Sequence, residues 1–205
     1  MTRARQNRAV GAAVLAAFVL TLGAGCAGHP AYFRGEVASL PDSSRVAVLP
    51  LVNFTRDVNA PDIVMNALIV ELLATHRFQV VDPGVVDDVI QRQRIRLTDR
   101  LSLAALQDVG SALGADYVMV GSVNEFSMVR DTQVEIPMVS IALRLVACAT
   151  GNIVWASTYS RRGDDTETMF TLGRVETLEE LATLTAREMT KTLAPGSNPK
   201  RQETK

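Results

Sequence analysis

The sequence predicts an α/β protein in which helices pack against one mixed β-sheet. Three observations support this fold class. Apolar runs of strand length, rich in β-branched residues, recur along the chain. Stretches with helical spacing of apolar residues separate several of these runs. Segments that alternate apolar and polar residues then follow one another, as antiparallel strands with one exposed face do. The predicted order of elements is βαβααβββα.

The first half of the predicted domain alternates strands with helices. Residues 45–55 form a β-branched apolar run that ends in polar residues, which predicts a central strand. Helical spacing predicts a helix over about 60–76, with a proline in its first turn. A short strand over 78–82 follows, and a Pro-Gly turn then leads into a second helix that ends at about Arg94.

The second half begins with a helix and continues with strands. Ser102 is a suitable N-cap for a third helix, and Gly114 is a suitable C-terminal stop. A buried strand is predicted next, over 115–123. The remaining predicted elements are strands over 132–136, 139–146 and 153–160, a hairpin turn over 149–152 and a last helix over about 174–193.

The first 25 residues have the pattern of an export signal. Arg3, Arg5 and Arg8 precede an apolar run over 9–22, and small residues then lead to Cys26. The run is too short to span a hydrocarbon core of about 30 Å, so cleavage is expected. A cysteine directly after Gly-Ala-Gly resembles the bacterial lipobox, which implies that Cys26 is acylated, as with palmitate. The alternative is an ordinary secretory signal in which the cysteine is incidental.

The residue after the cysteine bears on localisation. In lipoproteins of this type an Asp at that position is associated with retention at the inner membrane, and here the position holds Ala27. The resemblance therefore implies anchoring in the outer membrane, facing the periplasm.

Composition of the mature chain excludes some classes of partner. Removing three arginines from 21 basic residues leaves 18 against 22 acidic ones, a formal charge of −4. Nothing in this balance suggests nucleic-acid binding. Cys148 is the other cysteine, and it lies in an apolar run, where it is expected to be a small buried hydrophobe rather than part of a disulfide framework.

Changes in composition divide the chain into four parts. Residues 1–25 are the signal peptide, and residues 26–44, rich in Gly, Pro and Ser, are predicted to tether the lipid to the folded body. Residues 45–193 are predicted to form the α/β domain. Residues 194–205 carry Pro, Gly, Ser and charged residues and are predicted to be disordered.

The sequence lacks the patterns of common catalytic and metal sites. His29 and His76 are isolated and make no metal-ligand set. Asp82, Asp87 and Asp88 lie at a predicted helix start, where capping is the simpler role. The chain contains neither the P-loop pattern nor a Gly-x-Ser-x-Gly elbow. We therefore expect a protein that is not an enzyme and needs no cofactor or metal.

Two neighbouring surface segments are the better candidates for function. A charged turn is predicted over 161–165, after the last hairpin, in a position suited to contact a partner or another subunit. Residues 168–173 place large apolar side chains between polar ones, which suits a docking role. The alternative is that Phe170 and Leu172 fold back and pack onto the last helix. The candidate interface residues are Arg161, Arg162, Asp164, Asp165, Met169, Phe170 and Leu172.

Several motifs in order carry a family resemblance. The motifs are residues 46–54, 78–82 and 114–123, then 143–146 together with 150–155. Together, behind a lipobox, they resemble the CsgG superfamily of periplasmic lipoproteins. That superfamily includes the curli secretion channel CsgG, the penicillin-binding-protein activator LpoB and the Pel export lipoprotein PelC. Its core resembles the N-terminal domain of TolB, and the resemblance covers residues 45–193.

The resemblance implies a fold and limits the choice of member. The curli channel builds a transmembrane barrel from long hairpins, and each barrel strand needs about 9–11 alternating residues. Between Val123 and Val139 the sequence suggests a short polar loop, and 160–170 is equally brief. We therefore expect the periplasmic core without barrel hairpins.

The functional expectation is a lipoprotein of the cell envelope that acts by binding. The first hypothesis is a homo-oligomeric collar that supports export across the envelope, with copies concentrated at the membrane by their lipids. The second is a monomeric activator or adaptor of a peptidoglycan synthase, and the third is a structural envelope lipoprotein with another partner. A tether over 27–44 spans at most about 60 Å, which favours the first hypothesis.

Overall fold

The computed structural model describes residues 29–35, 40–95, 102–131, 134–166 and 173–193. These residues form an open seven-stranded mixed sheet and four helices, which confirms the predicted fold class. The strands are β1 (Ala31–Arg34), β2 (Ser44–Val48), β3 (Val52–Asn53), β4 (Phe78–Val80), β5 (Tyr117–Asp131), β6 (Val134–Ala147) and β7 (Ile153–Arg162). The helices are α1 (Ala60–Ala74), α2 (Pro83–Arg92), α3 (Leu103–Leu113) and α4 (Leu178–Lys191).

The sheet has a parallel part and an antiparallel part that meet at β5. Its order is β1-β7-β6-β5-β2-β4, and β3 also pairs with β5. The strands β2 and β3 run parallel to β5, and β4 runs parallel to β2. On the other side of β5, β6 runs antiparallel to β5, β7 runs antiparallel to β6, and β1 runs antiparallel to β7. The βα units at one end and the hairpins at the other produce this division.

Helices cover both faces of the sheet. The helices α1 and α4 pack against each other and against one face, where the main core lies. The helices α2 and α3 cover the opposite face near β2, around a second, smaller core. None of the described helices is both long and apolar enough to cross a bilayer. Fully buried side chains of the main core include Leu68, Leu72, Ile141, Leu143, Leu145, Leu181 and Met189.

The helix ends follow the capping rules. The Asp82 side chain accepts a hydrogen bond from the Gly84 N–H at 2.8 Å, which confirms a capping role for this carboxylate. The Ser102 hydroxyl oxygen accepts from the Ala105 N–H at 3.2 Å at the start of α3. Gly114 ends that helix with φ 58°, in the left-handed region that favours glycine.

Two polar contacts between side chains hold α4 in place. Arg187 donates to Glu71 on α1 at 3.1 Å, and the Glu71 side chain is buried. Trp155 on β7 donates through its indole N–H to the Thr192 hydroxyl, just after α4, at 2.9 Å. The buried Glu71 carboxylate and the buried Trp155 indole N–H are thereby both paired, so they fix the position of α4 without the penalty of an unpaired buried polar group.

The prediction of a short loop between Val123 and Val139 is wrong. β5 continues to Asp131 and β6 begins at Val134, so most of this segment is a two-stranded ribbon. We call residues 125–131 and 134–138 the arm. Its sequence looks polar on average because exposed polar residues alternate with apolar ones along paired strands, and that average conceals the strands.

The N-terminal boundary of the domain also differs from the predicted tether over 26–44. Within that segment, Ala31–Arg34 forms edge strand β1, and its residues pair with Trp155–Thr158 of β7. A four-residue strand has too short a pattern to be recognised by itself, and its partner lies more than 120 residues further along. The chain between Cys26 and the sheet is therefore four residues long.

Replacing Gly110 by Ala is expected to destabilise the domain by about 1–3 kcal/mol. A Cβ atom at this buried position in α3 would lie 2.5 Å from the Cβ and 2.7 Å from the Sγ of Cys148. Urea unfolding of the purified mature protein measures the effect. Ser111→Ala, at the next and exposed position of the helix, is the matched control and should change the stability by less than about 0.5 kcal/mol. Equal stabilities of the two variants would contradict the close packing of α3 on the sheet.

Candidate functional site

The predicted charged turn begins inside β7. Arg161 and Arg162 are the last two residues of that strand, and the turn occupies the residues after them. Arg162 forms an ion pair with Asp164, with Nε and Oδ1 3.1 Å apart. The backbone N–H of Arg162 donates to an Asp165 carboxylate oxygen at 2.8 Å. These contacts fix the turn and leave the Asp165 and Thr166 side chains exposed.

Arg161 is buried, with 7% of its surface exposed. Its guanidinium carbon lies 6.0 Å from the centre of the Tyr159 ring, and its Nε atom has no hydrogen-bond partner in the described part of the chain. Burial raises the pKa of the Tyr159 hydroxyl, the Arg161 charge lowers it, and the Glu188 and Asp165 carboxylates raise it further. Arg161 therefore acts on its neighbours inside the protein, whereas Asp165 is the accessible charge of this turn.

Some of the predicted site residues lie outside the described residues. These are the proposed lipid attachment residue Cys26 and the apolar interface candidates Met169, Phe170 and Leu172. The lipidation and the docking role of the apolar segment stay predictions.

A second candidate surface is the loop of residues 53–59, between β3 and α1, whose first three residues were predicted to end the strand over 45–55. Phe54 is 62% exposed and Val58 81% exposed, and Arg56 between them is also exposed. Three side chains hold the backbone around them. Asn53 accepts from the Thr55 N–H and hydroxyl, and its amide donates to the Asp57 carbonyl, all at 2.8 Å. The Asp57 carboxylate accepts from the Asn59 N–H.

These bonds pre-organise the 53–59 loop. Large apolar side chains on a fixed backbone lose little conformational entropy on binding, so they make effective anchors. The alternation Asn53-x-Thr55-x-Asp57 was the available sequence signal, since such residues bond to nearby backbone in turns.

The arm extends from the same end of the sheet as the 53–59 loop. The backbone N–H of Phe54 donates to the Val123 carbonyl at 2.9 Å, immediately before the arm begins in β5. Met128 and Val134 are 41% and 47% exposed, and the Arg130 side chain is exposed beside them. The turn after β7 adjoins the base of the arm, because Gly163 donates to the Pro137 carbonyl at 2.9 Å. We call this loop, arm and turn together the upper end of the domain.

At the opposite end of β5 a cleft of about 550 Å³ lies between α3 and the turn that joins β6 to β7. Cys148 borders the cleft, and its thiol is buried, which raises its pKa to about 11, with Asp116 contributing in the same direction. A thiol with so high a pKa is largely protonated at neutral pH and is a weak nucleophile. This agrees with the predicted role of Cys148 as a small buried hydrophobe.

The described residues contain no group of three or more His, Cys, Asp or Glu side chains that could hold a metal ion. His29 is exposed beside β1, and His76 lies in the turn after α1 with φ 54°. Ten large apolar side chains of the described surface are exposed, and four of them lie together with charged side chains at the upper end, which suits contact with another surface.

The described residues therefore form an α/β domain with an open mixed sheet, helices on both faces, and apolar and charged side chains at its upper end. The model of the family described as peptidoglycan-synthase activator LpoB matches residues 31–160. The chain belongs to this family. The match begins at β1, in agreement with the structural start of the domain. A search of curated proteins found no match.

Solved structures share the fold at low sequence identity. The dodecamer of PelC from Paraburkholderia phytofirmans matches with a TM-score of 0.54 and 18% identity, over 81% of this chain and 98% of that chain. Lipoprotein GNA1162 from Neisseria meningitidis matches with a TM-score of 0.51 and 19% identity, over 72% and 99%. The LpoB C-terminal domain from Escherichia coli matches at 0.44 and 19%, over 60% and 84%. At such identities the first two matches show that the fold is shared.

Replacing Arg161 by Met is expected to raise the free energy of unfolding by about 1 kcal/mol or more. Met keeps most of the buried volume and removes a guanidinium whose Nε is buried without a partner. Chemical denaturation of the mature protein measures the difference. Arg162→Met is the control, because Arg162 is partly exposed and paired with Asp164, and its loss should leave stability the same or slightly lower. A loss of stability in Arg161→Met would show that the buried charge is compensated.

Proposed function

We propose that this protein is a non-enzymatic lipoprotein, anchored by acylated Cys26 in the outer membrane and facing the periplasm, that activates a peptidoglycan synthase. The observation that carries the proposal is the match of the LpoB family model across 31–160, which covers all seven strands except the end of β7. This family favours the activator alternative over the export collar. The export signal and the cysteine after Gly-Ala-Gly support the anchoring.

The activator would work by binding the synthase and stabilising its active conformation. A ligand shifts such an equilibrium only by the difference between its affinities for the two states. The turn after β7 supplies the contact: exposed Asp165 lies on a turn fixed by Arg162, at the base of the arm. A charged group on a fixed turn adds selectivity and association rate to apolar contacts.

The direct test adds the purified mature lipoprotein to a peptidoglycan synthase of the same cell, in detergent, and follows glycan polymerisation. We expect several-fold activation by the unmodified protein. Asp165→Asn should raise the concentration needed for half-maximal activation by about threefold or more, because it removes the exposed charge. The amide oxygen can still accept from the Arg162 N–H, so the turn is kept.

Asp87→Asn is the matched control for the charge. Asp87 is also exposed, on α2 on the opposite face of the sheet from the main core, and its replacement should leave activation unchanged. Absence of activation by the unmodified protein would refute the proposed function. Equal effects of the two variants would show that the turn does not contact the synthase.

The second candidate function is the homo-oligomeric export collar, and one observation favours it. The chain between Cys26 and β1 is four residues long, so a lipid-anchored domain would stay at the membrane, where copies concentrate and associate. An activator of an inner-membrane enzyme needs a longer reach or a synthase that extends towards it.

Native mass measurement of the detergent-solubilised mature lipoprotein separates the two functions. The activator proposal predicts a monomer at micromolar concentration. A closed ring of many subunits, seen as a single large mass and in particle images, would instead support the collar.

A further inference from the structure

We propose that the 53–59 loop and the arm form a membrane-contact surface and insert apolar side chains into the phospholipid surface that holds the Cys26 lipid. The proposal rests on the lipid anchoring included in the proposed function. It adds a fixed orientation of the domain on the membrane.

The chain that precedes β1 leaves the sheet towards the upper end of the domain. β1 runs antiparallel to β7, and Ala31 pairs with Thr158. β7 runs towards the upper end, so the chain N-terminal to Ala31 leaves β1 in that same direction. A lipid on Cys26 therefore attaches to the domain from its upper end.

The chain between Cys26 and Ala31 is shorter than the part of β5 that extends beyond the level of Ala31. Four residues separate Cys26 from Ala31, which makes five Cα-to-Cα steps, so the chain reaches at most about 18 Å above Ala31. In the sheet, Ala31 lies at the level of Thr158, Ala142 and Ser122. β5 continues for nine residues beyond Ser122, or about 30 Å at 3.3 Å per residue. The arm extends further than the chain that carries the lipid can reach, which brings the arm to the membrane.

The 53–59 loop and the arm expose apolar side chains next to charged ones. Four large, exposed apolar side chains lie at this end: Phe54, Val58, Met128 and Val134. An exposed arginine accompanies each pair, Arg56 in the loop and Arg130 in the arm, where exposed Glu135 lies opposite Arg130 in the strand pairing. Apolar groups that enter the acyl boundary, beside cationic groups at the phosphates, are the combination that interfacial segments use. The hydrogen bonds of Asn53 and Asp57 keep the loop in the inserting conformation.

The test measures the depth of single positions in a bilayer. Mature lipoprotein carrying F54W, M128W or V70W is reconstituted into vesicles of phosphatidylethanolamine and phosphatidylglycerol, with and without brominated acyl chains, and the Trp155 emission of the unmodified protein is subtracted. Val70 is the matched control, since it is 60% exposed but lies ten residues along α1, about 15 Å from the loop.

We expect bromine to quench the F54W and M128W emission at least about twofold and to leave the V70W emission unchanged, since interfacial side chains sit about 5–10 Å into the headgroup and acyl boundary. Equal quenching at all three positions, or none at Phe54 and Met128, would overturn the proposal. Protein that does not stay with the vesicles would overturn it as well.

The same preparations are assayed for synthase activation in detergent, where no bilayer is present. Activation without selective quenching overturns the membrane contact alone. Selective quenching without activation overturns the proposed function alone.

Discussion

The pairing of β5 on both of its edges is the constraint on which the rest of the structure depends. One edge receives β2 and then β3 in parallel, and the other pairs with β6 along nearly its whole length. At Gly121 the neighbouring strand comes so close that a Cβ atom would lie 2.2 Å from the Ala142 carbonyl oxygen. β5 therefore fixes the relative position of the βα half and the hairpin half, and the packing of α1 against α4 joins the two halves a second time.

The register of β5 also determines where the arm begins. Asn124 is an extra residue opposite β6, and the register shifts between Val123 and Glu125. Such a bulge increases the local twist and bends a strand. It lies where the sheet core ends, beside the point at which Phe54 joins β5. The arm continues beyond this bulge with two kinds of apolar side chain: Phe126 and Ile136 are buried, whereas Met128 and Val134 are exposed.

Sequence reasoning located the elements whose signals are local. The caps at Asp82, Ser102 and Gly114 each depend on a few neighbouring residues, and the structure places all three as expected. β1, the arm and the exposure of Phe54 depend on partners far along the chain. A four-residue strand gains its stability from β7, and an alternating ribbon is recognisable once its register is known. Burial of Arg161 was missed for the same reason, since its charge predicts exposure and its place in β7 buries it.

The short chain between Cys26 and β1 ties these structural features to the function. With an acylated Cys26, a domain held within about 18 Å of its lipid cannot search the periplasm, and its partners must approach the membrane. Fixing the orientation as well would present the sides of the domain, α1 and α4 on one face and α2 and α3 on the other, laterally along the membrane. Lateral presentation raises the effective concentration of any partner confined to the same layer. An activator built in this way would depend on a synthase domain that extends to the outer membrane. A modest affinity of the activator for the synthase in free solution would then suffice, because confinement to one layer supplies the remainder of the binding free energy.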